Sequence, residues 1–344
     1  MNKRIEYLDI AKALGIILVM ISHSCGMPFN TTMYFANFYI QLFWIISGLT
    51  YEDNKDIYKN VKKKFTRLII PYFIYSGIIF ILGIFFQNIK TTREMLLAII
   101  GIFYSRYALY PLNESENVLF LQIGNSPLWF LTSMFIGCML FYVVMEIARD
   151  SMIKTWLCYI GLIVITILFQ SFPVLLPWSI DTAFLTAWFM LIGYNMKKKF
   201  LKRYSIFYIA LVSIIYILGC YWDGAVNLSI RVYGNHGISS IFATCVLGIL
   251  GSFICLFIAQ MIDEFNVIRQ VLILVGKNTI TILALHMSLF YAFNNILNQL
   301  GIFYNDNRYM YYAVGCIRIV ITIGVCDCLS GVKKQFNRNN DNLK

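Results

Sequence analysis

Charge is what this sequence is short of. Only 13% of its 344 residues are charged, about half the ~25% of a soluble globular domain. Too few charges remain to cover a water-exposed surface, so an ordinary soluble protein is excluded. No polar interval is longer than a linker, which leaves no room for an added soluble domain. Cysteine pairing is missing as well. The nine Cys are scattered, and Cys138, Cys158, Cys245, Cys255 and Cys316 sit inside apolar runs as small buried hydrophobes. Cys326 and Cys328 lack the two-pair spacing of a zinc site, and the length excludes a disulfide-rich scaffold. What is abundant is apolar: 59% hydrophobic and 17% aromatic, with 28 Phe and 23 Tyr. Mean hydropathy is +0.70. That excludes disorder and predicts an all-α polytopic membrane protein, in which ~20 apolar residues make one span.

Apolar runs between polar breaks predict about ten transmembrane helices, near 8–24, 34–51, 68–87, 126–148, 155–172, 178–196, 204–222, 237–261, 278–299 and 309–330. A shorter run at 95–110 reads as one extra interfacial or re-entrant helix. The first run resembles a signal peptide in length, but Asp9 and Lys12 interrupt it and no small-x-small cleavage site follows. The net charge of +11 is explained by topology. With both termini cytoplasmic, 21 Lys and Arg fall inside and 5 outside (Lys90, Arg93, Arg106, Arg231, Arg308), as the positive-inside rule requires. The basic runs lack the interleaved aromatics of a strand-binding groove, so no nucleic-acid partner is expected. The predicted organisation is one membrane domain over 1–332 and a basic cytoplasmic tail over 333–344. Two external segments are long: 88–125, with the acidic Asn113–Asn117 stretch, and 223–236. Either could floor a site for a hydroxyl-rich ligand, and either reads equally as a plain loop. No long internal repeat is visible, which disfavours transporters built from duplicated halves.

An ionisable side chain inside a span is a functional candidate by default. Lys12 and His23 are three helical turns and ~20° apart, so they share a face about 16 Å apart along the axis. Asp9, one turn before Lys12, can neutralise it as an i,i+3 pair. Two readings stand: a polar stripe ending in a working imidazole, or a buried His satisfied by a neighbouring helix with Lys12 snorkelling. Lys64 and Arg67, one turn apart at the cytoplasmic entry to span three, can grip a phosphorylated ligand or simply anchor the helix. His286 lies within span nine and His236 closes a Gly-Asn-His turn. No spacing joins the three His into a metal site. Trp129 opens span four, where an aromatic also serves as an interfacial anchor. A Gly-x-Ser-x-Gly nucleophile elbow and a Gly-x-x-x-x-Gly-Lys phosphate loop are both absent, as is the His-x-x-x-x-Asp of soluble glycerolipid acyltransferases. Any catalysis must therefore rest on an isolated base.

The pattern as a whole resembles the acyltransferase-3 family of bacterial integral-membrane O-acyltransferases. Lys12-x10-His23, in a first span opening Leu8-Asp9, is similar to that family's (Arg/Lys)-x10-His signature, with Lys in place of the commoner Arg. Phe43-Trp-Ile-Ile-Ser47-Gly48 follows, then Lys64-Phe-Thr-Arg67-Leu-Ile-Ile-Pro71-Tyr72, Pro127-Leu-Trp129-Phe-Leu, Tyr233-Gly-Asn235 and Ala284-Leu-His286. The likeness runs from Asn2 to about Gly331 and is nearest the fucose 4-O-acetylase-like branch. It implies a multi-pass protein of the bacterial cytoplasmic membrane that moves an acetyl group from cytoplasmic acetyl-CoA to a hydroxyl of a cell-surface or lipid-linked carbohydrate. Acetyl-CoA is then a substrate, and no permanently bound cofactor or metal is implied. On the resemblance, His23 is the general base, and Lys12, with Asp9 as its partner, orders the interior or guides the phosphopantetheine arm. Lys64, Arg67 and Ser47 hold CoA, and Trp129, Asn235 and His286 line the acceptor or donor pocket. The rival readings are an exporter of a glycan or lipid-linked intermediate, which would use the stripe of span one as a pathway, and a non-catalytic envelope sensor.

Overall fold

The computed structural model describes residues 5–24, 29–52, 56–85, 89–106, 108–109, 126–149, 151–302 and 308–341. Among these there is no β-strand; an isolated bridge joins Asn227 and Val232. Helix is what apolar runs of this length must form in hydrocarbon, because only a helix satisfies every backbone N–H and C=O within its own segment. In chain order the helices are α1 (Glu6–Ser24), α2 (Phe29–Ala36), α3 (Tyr39–Leu49), α4 (Ile57–Lys64), α5 (Ile70–Phe85), α6 (Thr92–Tyr104), α7 (Trp129–Ala148), α8 (Met152–Gln170), α9 (Ile180–Asn195), α10 (Lys197–Phe200), α11 (Ile206–Asp223), α12 (Ile238–Ile262), α13 (Asn266–Lys277), α14 (Thr279–Gln299) and α15 (Arg308–Asp341). A π-helical turn, Phe65–Ile69, joins α4 to α5.

Eight stretches among the described residues are long and apolar enough to cross a membrane: α1, Ile57–Phe85, α7, α8, α11, α12, α14 and Tyr309–Gly331 of α15. The protein is thus all-α and polytopic. Two of the ten expected spans take a different form. The 34–51 run is broken at Phe38, whose φ of −144° is not helical, into α2 and α3. Beside the break, the Asn37 amide donates to the Met33 and Gly224 carbonyls, each at 2.8 Å. The 178–196 run begins late, because Trp178 and Ser179 hold positive φ of 53° and 57°. This leaves α9 only 16 residues. The short run expected at 95–110 is α6, of 13 residues. It opens on a capping box: Glu94 N–H donates to Thr91 Oγ1, and the Glu94 carboxylate accepts from the Lys90 and Thr91 N–H groups. Most of the segment that follows, with Asn113–Asn117, lies outside the described residues. The expected tail at 333–344 is helical as far as Asp341, the end of α15.

The helices form two compact units. One joins residues 1–28 to 255–344, and the other comprises 29–254; α12 belongs to the second up to Ile254 and to the first from Cys255. In the first unit α1 packs on α13, α14 and α15. Gly276 of α13 lies so close to α1 that a Cβ there would collide with the Asp9 carbonyl. In the second unit α9 is central and packs on α3, α7 and α8. The α3–α9 contact is backbone on backbone. A Cβ on Gly48 would strike the Met190 carbonyl, and one on Gly193 would strike the Ile45 carbonyl. Without a hydrophobic force between helices in lipid, small residues that admit such close approach carry the association. The outward side of α8 is different in kind: Ile153, Trp156, Leu157, Ile160, Val164 and Leu168 are exposed at helical spacing, as a lipid-facing stripe should be.

Gly193→Leu should therefore separate α3 from α9 and lower the unfolding temperature of the detergent-solubilised protein, since overpacking costs ~1–3 kcal/mol. Gly161→Leu on α8, where a Cβ would meet nothing within 4 Å, should melt with wild type. Equal melting of the two variants would refute the backbone contact.

Candidate functional site

In the first unit the polar stripe of α1 is built as helical spacing dictates. Asp9 sits in the first turns of the helix, buried, and Lys12 Nζ reaches its Oδ1 at 2.9 Å. The Lys12 side chain is 28% exposed and that of Asp9 3%, so the cation sits at the edge of the protein while its partner is inside. The end of the unit at the start of α1 is tied by Arg269, which pairs with both Glu6 and Asp263. At the other end of α1, His23 occupies the last helical turn. Its ring lies 5.3 Å, centroid to centroid, from that of His286 on α14, tilted by 39°. The next residue, Ser24, donates its hydroxyl to the Gly315 carbonyl of α15, which fixes the helix end against its neighbour.

His286 is fully buried and His23 is exposed. The Nδ1 of His286 lies 3.1 and 3.0 Å from the Ile282 and Leu283 carbonyls. Phe290 stands edge-on to its ring at 5.7 Å, and the Arg318 guanidinium lies over the Phe290 ring at 5.9 Å. Arg318, an intramembrane cation like Lys12, is thus buried within one ring of the histidine pair. An exposed imidazole at a helix end, backed by a buried one, can accept and pass on a proton.

The second unit holds the other expected residues. Lys64 Nζ donates to Ser47 Oγ at 3.0 Å, which joins the end of α4 to α3. Regular helical spacing predicts Lys64 and Arg67 on one face, but the intervening turn is π-helical, with the Ile70 N–H bonded back to the Phe65 carbonyl. Lys64 is half-buried against Ser47, and Arg67 is exposed. Trp129 is buried at the start of α7, its ring perpendicular to that of Phe130 at 6.3 Å. Asn235 is exposed; its N–H donates to the Asp223 carbonyl at 2.8 Å, and its amide packs where a Gly224 side chain would be. The imidazole of His236 stacks on Trp222 at 4.4 Å and bonds the Trp222 carbonyl through Nε2. The structure therefore brings His23 together with His286, Lys12 with Asp9, and Lys64 with Ser47. Among the described residues no group of three or more His, Cys, Asp or Glu could hold a metal ion.

Sequence reasoning missed a cluster that organises the loop side of the second unit. Arg106 and Arg231, expected simply as external loop charges, are buried and share Asp181 of α9. Arg106 donates to one Asp181 oxygen and to the carbonyls of Leu176 and Ser229. Arg231 pairs with the other oxygen, 3.3 Å from its Nε, and donates to the carbonyls of Phe169, Phe172 and Val174. One carboxylate thereby pins the segments after α6, before α9 and after α11. The one signal in the sequence is Asp181 itself, a lone acid in the first turn of α9, with nothing to pair it with either arginine.

The family model described as an acyltransferase domain matches residues 5–330. No curated protein and no solved structure matches the chain.

Asp181→Asn keeps the shape of the cluster but leaves two buried guanidinium groups without a counter-charge, at a cost of about 3–5 kcal/mol. Glu146→Gln removes one partner of the exposed Glu146–Arg149 pair and should cost at most ~1 kcal/mol. Thermal unfolding of the two purified variants checks the contrast, and similar losses would show that the cluster is not a structural centre.

Proposed function

Since the chain belongs to the acyltransferase-3 family and is a multi-pass membrane acyltransferase, we propose that it transfers an acetyl group from cytoplasmic acetyl-CoA to a hydroxyl of a cell-surface or lipid-linked carbohydrate. The observation that carries this reading is the placement of His23, an exposed imidazole in the last turn of α1, beside a buried second imidazole. Its sequence context is nearest the fucose 4-O-acetylase-like branch, and the bacterial cytoplasmic membrane is the compartment proposed for it.

In the proposed step, His23 takes the proton from the acceptor hydroxyl as its oxygen attacks the thioester carbonyl. The new C–O bond forms, the C–S bond breaks, and the proton passes from the imidazolium to the departing CoA sulfur. Lys64 and Arg67 supply positive charge for the CoA phosphates, Arg67 as a fork and Lys64 as a point charge steadied by Ser47. The Asp9–Lys12 pair keeps the stripe of α1 polar without a net charge. Trp129 and Asn235 serve the sugar as a stacking face and a hydrogen-bonding amide.

Full-length protein in nanodiscs, radiolabelled acetyl-CoA and a panel of free and lipid-linked sugars test the reading. His23→Ala should lower ester formation by about 10²–10⁴-fold, the worth of a general base, while CoA still raises its melting temperature. Arg67→Ala should need more CoA for the same thermal stabilisation, with a smaller effect on the rate at saturation. Retained transfer in His23→Ala removes the proposed base. An exporter would give no ester with any sugar, and absence of CoA stabilisation in wild type would remove the donor.

A further inference from the structure

The backbone around His286 dictates which of its ring nitrogens carries the hydrogen. Its Nδ1 lies between two backbone carbonyls, Ile282 O at 3.1 Å and Leu283 O at 3.0 Å. Carbonyl oxygens only accept, so Nδ1 must carry the hydrogen, and a neutral ring must then present a bare lone pair at Nε2. That Nε2 is buried and has no hydrogen-bond partner. A buried acceptor left unmatched costs ~1–3 kcal/mol, which marks it as waiting for a donor. The ring nearest to it is His23, with centroids 5.3 Å apart. The rings are close enough that a modest rotation of the His23 side chain brings one of its nitrogens within hydrogen-bond distance of Nε2.

We propose that His286 is a positioning residue: its Nε2 accepts an N–H from His23 and so fixes which nitrogen of His23 is the base. This rests on the reading of His23 as the general base. With one His23 nitrogen held as a donor to His286, the other keeps its lone pair for the acceptor hydroxyl. When that nitrogen takes the proton, the imidazolium still donates to His286, so the charge forms on a ring already hydrogen-bonded. His286 gains and loses no proton; its own Nδ1–H stays on the α14 backbone. A base oriented by a third group is the general logic of activated nucleophile systems. The sequence position of His286, two turns into α14, places its ring where the α14 backbone itself selects the tautomer.

His286→Phe keeps an aromatic of similar size against Phe290 but removes the acceptor, whereas His286→Gln restores an acceptor oxygen. We expect kcat for ester formation to fall about 10²-fold in His286→Phe with the KM for acetyl-CoA within about twofold of wild type, and His286→Gln to recover most of the loss. Equal kcat in wild type and His286→Phe, or equal losses in Phe and Gln variants, would overturn the proposal. Should the variants fail to fold, the wild-type protein still decides. It has only 3 His, so ¹⁵N-histidine spectra of wild type, His23→Ala and His236→Ala isolate the His286 ring. A Nδ1–H tautomer with bare Nε2 is expected there, and the opposite tautomer refutes the assignment. If instead His23→Ala transfers acetyl normally, the base reading itself fails, a result separable from loss of the His286 effect alone.

Discussion

The interior of a bilayer supplies no hydrogen-bond donor or acceptor, so each backbone amide must be satisfied along its own helix and each polar side chain must find its partner within the protein. The architecture follows from that demand. Apolar side chains cover α8 where it meets lipid, while interior charged and amide groups are held by partners at several sites: Asp9 with Lys12, Asn278 with Asp327 at 2.9 Å, and Asp181 with two guanidinium groups. Where helices must touch without polar help, glycines bring backbone to backbone, as at Gly48 and Gly193, and at Gly276 against Asp9.

Against that economy, an unmatched polar atom carries information. The Nε2 of His286 is such an atom, in the unit where Asp9 pairs with Lys12, Glu6 with Arg269 and Asn278 with Asp327. The second unit shows the opposite solution. Asp181 answers two arginines at once, and their remaining N–H groups close off loop carbonyls that would otherwise face no donor. One arrangement holds a reactive edge open; the other spends its full bonding capacity on holding loops together.

Much of this was legible in the residues. Composition and apolar run length give the helical membrane class, because hydrocarbon leaves few alternatives. The 3.6-residue period places Asp9, Lys12 and His23 on one stripe, and an i,i+3 pair is local enough to be read directly. What escaped was long-range or local in a non-standard way. No spacing shows that Arg106 and Arg231, 125 positions apart, converge on Asp181, because tertiary pairing leaves no periodic trace. The contact of His23 with His286 joins α1 to α14 and is equally silent in the sequence. The broken 34–51 run was missed because Asn37 reads as a tolerable polar residue until its amide is seen serving the Gly224 carbonyl. The π-helical turn at Phe65–Ile69 was missed because the period of a regular helix was assumed across it.

That wide turn has a consequence for how the chain tolerates a change in length. Elsewhere in the Ile57–Phe85 helix, losing one residue rotates everything beyond it by ~100° and turns a lipid-facing side inward. At Phe65–Ile69 a surplus residue is already accommodated by the i to i+5 bond. Deleting one residue there would return the turn to ordinary helix while leaving α4 and α5 in phase, with Lys64 still turned toward Ser47. The segment is a register joint, where the helix absorbs an insertion or a deletion that the rest of its length would not survive.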